Sequence, residues 1–140
     1  LLRAIDVMWQ TGETYSTLVS NPTNQRSFKT IRIGIEAPRE IIYKRINKRV
    51  ELMVENGLLN EVKKLESHQD LVALKTVGYT EIFKYLQGDW EFDFAISEIQ
   101  KNSRRFAKRQ LTWYRKEENI HWVNYENAMT ESVSLLKELL

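Results

Sequence analysis

Seven basic residues, Lys101, Arg104, Arg105, Lys108, Arg109, Arg115 and Lys116, lie between Glu98 and Glu117 with no Asp or Glu among them. Trp113 and Tyr114 fall in the same interval. A solvated helix usually interleaves both signs, because opposite charges one turn apart support each other. A run of one sign points toward an anionic partner. Lys and Arg along a helix can track phosphates without reading sequence. The two aromatic rings offer planes on which an exposed base can stack. The competing reading is a solvated basic surface, with Trp113 on the apolar side and packed into a core.

A second residue of chemical interest is Arg49. In PREIIYKRINKRVELMVENG the residues Ile42, Ile46, Val50 and Met53 recur at helical spacing. Arg49 falls within that stripe and Arg45 at its border. A guanidinium directed at a core is costly unless an anion meets it. That anion is either an internal Asp or Glu, or a phosphate or diphosphate, which the planar fork binds through two parallel hydrogen bonds. His68 and His121 have no second ligand at metal spacing. The five glycines are scattered and form no phosphate loop.

These residues need elements to hold them. An apolar helical pattern runs from Leu1 through Trp9 and stops near Gly12. The polar stretch 20–27 reads as a loop. TIRIGIEA (30–37) alternates as a strand, and Pro38 opens a helix that Asn56-Gly57 ends. A shorter helix covers 58–67, irregular chain follows, and a short helix ends at Gly88. A long helix spans about Phe92 to Arg115, a second strand 120–125, and a last helix Met129 to Leu140. At roughly 100° per residue, Lys101, Arg104, Arg105, Lys108, Thr112 and Arg115 share one side of the long helix. Phe92, Ala95, Ile96, Ile99, Phe106 and Trp113 share the other, which should pack inward. Gln110 falls within that apolar stripe, and a buried amide needs partners from a neighbouring element or a ligand. Two isolated strands make a poor sheet, so they are expected to join strands upstream.

The bulk numbers set bounds. One hundred and forty residues suffice for one domain with a core. Hydrophobic content of 42% and charged content of 29% are ordinary for globular proteins. A net charge of +2 means that any nucleic-acid reading rests on local clustering. With no cysteine there are no disulfides or thiolate metal sites. No apolar run approaches bilayer-spanning length. The chain opens inside a helical pattern without a capping residue, so the expectation is a fragment of something longer.

Four blocks carry a family resemblance: LLRAIDVMWQTGETYS, KRINKRVELMVENGLLNEV, KTVGYTEIFKYLQG and RRFAKRQLTWYRKEENIHW. In this order they resemble the C-terminal half of the tRNA dimethylallyltransferases, with VGY and AKRQLTW the most specific motifs. The resemblance implies an α/β, mostly helical fragment, residues 1–140, of a P-loop kinase-like core whose two strands join an upstream sheet. It implies transfer of a dimethylallyl group from dimethylallyl diphosphate to N6 of the adenosine 3′ to the tRNA anticodon. The target base would be flipped out of its loop to react.

By the same resemblance, Arg49 contacts the diphosphate. Three segments contact the tRNA anticodon stem-loop: Leu1, Leu2 and Arg3; Lys75, Thr76, Val77, Gly78, Tyr79 and Thr80; and Lys108, Arg109, Gln110, Leu111, Thr112, Trp113, Tyr114 and Arg115. At Thr80 the family often carries a basic residue. The P-loop and the catalytic Asp are expected upstream of Leu1. The isolated fragment is therefore expected to be inactive, with no catalytic residue and no metal ligand of its own, and Mg²⁺ is implied only through the family. A cytoplasmic monomer without membrane association is the remaining expectation. The alternatives are a noncatalytic helical RNA-binding module, or an interaction domain whose basic surface meets an acidic protein.

Overall fold

The computed structural model describes residues 2–19 and 28–140. The expected loop at 20–27 and residue Leu1 lie outside the described residues. The chain divides into two compact units, Leu1–Ile31 and Arg32–Leu140.

In the first unit, helix α1 (Leu2–Thr11) ends where Gly12 takes a φ of +73° and its N–H bonds the Met8 carbonyl at 2.9 Å. A one-turn helix α2 (Tyr15–Val19), which periodicity is too short to signal, packs against α1. Neither helix contains a buried residue.

The second unit begins with strand β1 (Arg32–Glu36), continues through α3 (Arg39–Glu55), α4 (Leu58–Lys64), α5 (Tyr79–Leu86) and α6 (Phe92–Tyr114), and closes with strand β2 (Ile120–Asn124) and α7 (Ala128–Leu139). Pro38 precedes α3, where its missing N–H costs no helical bond. Gly57 supplies the positive φ, +96°, that lets α4 start immediately after α3.

β1 and β2 lie side by side. They pair with each other, parallel, from Arg32↔Ile120 to Glu36↔Asn124. Hydrophobic alternation shows that a strand exists but not its partner across so long a crossover. Gly34 lies beneath the Trp122 indole, and a Cβ there would stand 2.7 Å from the ring. A glycine is thus required at the pairing's centre by close approach.

The core is helical. Val50 of α3, Leu58 and Val62 of α4, Ile82 and Phe83 of α5, and Ile99 of α6 form one buried cluster. α6 packs on both α3 and α5, and α4 packs on α5. α6 is therefore the spine against which the other helices are placed.

Candidate functional site

α6 brings most of the candidate residues together, but not as one flat basic surface. Its C-terminal half is bordered by three cavities. One, of about 470 Å³, is walled by α3, the turn before α5, and α6: Ile42, Ile46, Arg49, Val50 and Met53 from α3, Thr76 and Val77 from the turn, and Ile99, Ser103, Phe106, Ala107 and Gln110 from α6. A groove of about 430 Å³ is lined by Arg105, Lys108, Arg109, Thr112, Trp113 and Lys116. A third space, of about 460 Å³, lies at the C-terminal ends of both strands, with Glu36, Arg39, Tyr43, Lys108, Leu111, Arg115 and Asn124 among its walls. Eight consecutive helical residues sweep more than two turns. The segment 108–115 therefore cannot face in one direction.

The first cavity accounts for two anomalies together. Arg49 and Gln110 are the polar residues that interrupt apolar stripes, one on α3 and one on α6, and both line this space. The expectation that each is buried in a core is overturned: both are exposed. The stripes are placed correctly, but the facing elements leave an open cavity where packing was expected. Arg49 forms no ion pair with a carboxylate among the described residues, so the internal-partner reading is not realised there. Its guanidinium and the Gln110 amide stand on a wall that is otherwise mainly aliphatic and aromatic.

The inward packing of Phe106 and Trp113 is also overturned. Phe106 is 58% exposed and Trp113 60% exposed. Trp113 meets Tyr114 edge to face, ring centres 4.8 Å apart. The Arg109 guanidinium lies 5.9 Å from the centre of the Phe106 ring, within cation–π range.

The basic run divides likewise. Lys101 pairs with Glu98 at 2.6 Å, and Arg104 donates to the Asn47 side chain of α3 at 2.6 Å. These two already have partners within the unit. Arg105, Lys108, Arg109, Arg115 and Lys116 have no carboxylate partner among the described residues. Thr112 spends its hydroxyl on the Lys108 carbonyl at 2.9 Å.

The turn 75–80 is built by Gly78, whose φ of +103° excludes most side chains. Lys75, Thr76, Val77 and Thr80 are exposed, and Thr80 bonds back to the Thr76 carbonyl at 3.1 Å. The Tyr79 hydroxyl is not free for a ligand: it donates to the Glu61 carboxylate of α4. That bond, with burial and the nearby negative charge adding to it, raises the phenol above its usual pKa.

Sequence reasoning missed Glu81. It is 4% exposed, accepts the Gly78 N–H at 2.8 Å through Oε2, and accepts the Asn102 side-chain amide of α6 at 2.8 Å through Oε1. The G-x-x-E spacing at a helix start was the available signal. On α1 of the first unit, Leu2 and Arg3 are exposed.

The class this defines is a mainly helical α/β unit with an apolar cavity, one arginine in its wall and, among the described residues, cations without carboxylate partners alongside. Comparison with known proteins narrows it. The family model described as IPP transferase matches residues 1–117, and the chain belongs to that family. It is 48% identical over 126 residues to the tRNA dimethylallyltransferase of Christiangramia forsetii, covering 90% of this chain and 42% of that protein. It is 44% identical over all 140 residues to the tRNA dimethylallyltransferase of Flavobacterium johnsoniae, covering 45% of it. The crystal structure of tRNA delta(2)-isopentenylpyrophosphate transferase from Staphylococcus epidermidis matches 99% of this chain and 48% of its own, with a TM-score of 0.74 and 32% identity. The full-length tRNA isopentenylpyrophosphate transferase from Bacillus halodurans matches 96% of this chain and 51% of its own, with a TM-score of 0.74 and 28% identity. The chain spans about half the length of the relatives it matches.

Proposed function

We propose that this chain forms one wall of the active site of a cytoplasmic tRNA dimethylallyltransferase, which moves a dimethylallyl group from its diphosphate to N6 of the adenosine 3′ to the anticodon. The observation that carries this reading is the cavity that combines Arg49 with an apolar lining and with Thr76, Val77 and Gln110. A short branched hydrocarbon suits Ile42, Ile46, Met53 and Phe106. A diphosphate suits the unpaired guanidinium, which binds it as a charge-assisted fork. The anticodon stem-loop approaches along the exposed C-terminal half of α6, its phosphates meeting Arg109 and its neighbours.

In the reaction the N6 lone pair forms a bond to the allylic carbon as the carbon–oxygen bond breaks. The electron pair leaves on the diphosphate, and Arg49 stabilises that growing charge. The cavity wall contains no Asp, Glu or His, so the N6 proton is accepted by a group outside it. The same wall offers Mg²⁺ no carboxylate, and among the described residues no three His, Cys, Asp or Glu side chains gather. These residues alone do not fit the oxygen-rich shell the ion requires.

The test uses a protein of the relatives' full length carrying this segment, given dimethylallyl diphosphate and an anticodon stem-loop. Modified adenosine should appear by mass spectrometry of nucleosides. Arg49→Ala should lose roughly 2–4 kcal/mol of transition-state stabilisation in single-turnover rate, by analogy with other oxyanion donors. Arg49→Lys should recover only part, since a point charge lacks the fork. A lowered melting temperature with a normal single-turnover rate would remove Arg49 from the chemistry.

A further inference from the structure

The two second-unit segments proposed to meet RNA, the turn 75–80 and α6, belong to different elements, and one buried group joins them. Glu81 sits in the first turn of α5 with both carboxyl oxygens engaged, Oε2 by the Gly78 N–H and Oε1 by the Asn102 amide, each at 2.8 Å. No cation pairs with it among the described residues. A carboxyl group out of water is costlier than an apolar side chain of similar size. Its neighbours Ile82 and Phe83 already supply apolar burial at this point of α5. What an apolar residue at position 81 would not supply is direction.

Gly78 is the residue whose backbone needs that direction. Its φ of +103° is one of several geometries open to glycine, which has no intrinsic preference for it. The Glu81 carboxyl fixes the Gly78 N–H from one side, while Asn102 fixes the carboxyl from α6. Thr76 and Val77, immediately before, wall the cavity opposite Ser103 and Gln110 of the same α6. We infer that Glu81, held by Asn102, is a positioning residue that sets the turn 75–80 in register with α6, so that both engage one RNA loop together. This rests on the RNA reading above and adds the residue pair that keeps the two segments aligned.

The experiment measures two dissociation constants and a melting temperature on the full-length protein carrying this segment. One ligand is an unmodified anticodon stem-loop; the other is dimethylallyl diphosphate. Glu81→Ala should weaken stem-loop binding by about tenfold, the equivalent of one hydrogen bond to a charged group, with diphosphate binding weakened less, since Thr76 and Val77 form only one side of its cavity. Glu81→Gln should restore stem-loop binding, because its carbonyl accepts from Gly78 and a rotated Asn102 amide accepts from its nitrogen. Asn102→Leu breaks only the link to α6, leaves the cap of α5, and should reproduce the stem-loop defect even where Glu81→Ala folds poorly.

Unchanged stem-loop affinity in Asn102→Leu would overturn the inference. So would parallel loss of both ligands in step with melting temperature, which marks a merely structural role. If the unaltered protein fails to bind the stem-loop, the RNA reading itself falls, and this inference with it.

Discussion

The two halves of α6 are built from similar residues and do opposite things. From Phe92 to Arg104 the helix is clamped. Ala95 and Ile99 are 0% and 1% exposed, and Lys101, Asn102 and Arg104 each bond a named partner. From Arg105 to Tyr114 the aromatic rings lie open and the cations have no carboxylate partner among the described residues. Residue type does not separate an arginine that braces a fold from one left without a carboxylate partner among the described residues. Arg104 and Arg105 are neighbours in sequence, and what lies across from each decides. The first half holds the unit together, and the second leaves Phe106, Trp113 and its cations exposed.

The sharpest way to break that comparison is to exchange the expected outcomes. Ile99→Ala, in the clamped half, should cost roughly 2–5 kcal/mol of stability by opening a cavity in the core. Its stem-loop affinity should stay near normal when measured well below the new melting temperature. Chemical denaturation of the full-length protein carrying this segment gives the first number, and titration the second.

Trp113→Ala, in the open half, should do the reverse. An exposed side chain truncated away from the core changes stability by about 0.5 kcal/mol or less. Removing a stacking plane should weaken stem-loop binding by roughly 1–3 kcal/mol if a base lies on the indole. A large drop in melting temperature without loss of RNA affinity would show that the open half is also structural.

The cations sharpen the contrast further. Lys108→Ala, Arg109→Ala or Arg115→Ala should each reduce the slope of log affinity against log salt, by about one unit for every phosphate left without its cation. Diphosphate affinity should be untouched. Three unchanged slopes would return this half of the helix to a solvated basic surface.

The smallest expected effect lies in the framework behind the site. Tyr79→Phe removes the bond to Glu61 and should cost about 0.5–1.5 kcal/mol. The folded phenol has a pKa above its unfolded value. The stability it contributes is therefore complete below the unfolded value near 10 and is lost as pH rises through the higher folded one. The difference in melting temperature between the parent and Tyr79→Phe should be constant through neutral pH and shrink only in strong alkali.

Local chemistry made much of this legible. Pro38, Gly57 and Gly88 start or stop helices through backbone restrictions that act within a few residues, so the elements appear where periodicity and punctuation put them. Arg49 and Gln110 were also legible as anomalies, since a polar residue in an apolar stripe is visible from helical spacing alone. Glu81 was not singled out, because its importance depends on Asn102, which is near only after α5 and α6 pack.

Spacing along the chain was enough to establish the longer helices, the two strands and the one-signed stretch of α6, while the family motifs were read by resemblance. Which apolar stripes are covered was settled only when the elements packed. α3 and α5 both pack on the twenty-three-residue α6, but α3 shares an open cavity with Phe106 rather than closing on it. Phe106 and Trp113 are left exposed. A helical period tells which residues share a side, but burial depends on whether another element is long enough, and near enough, to lie against it.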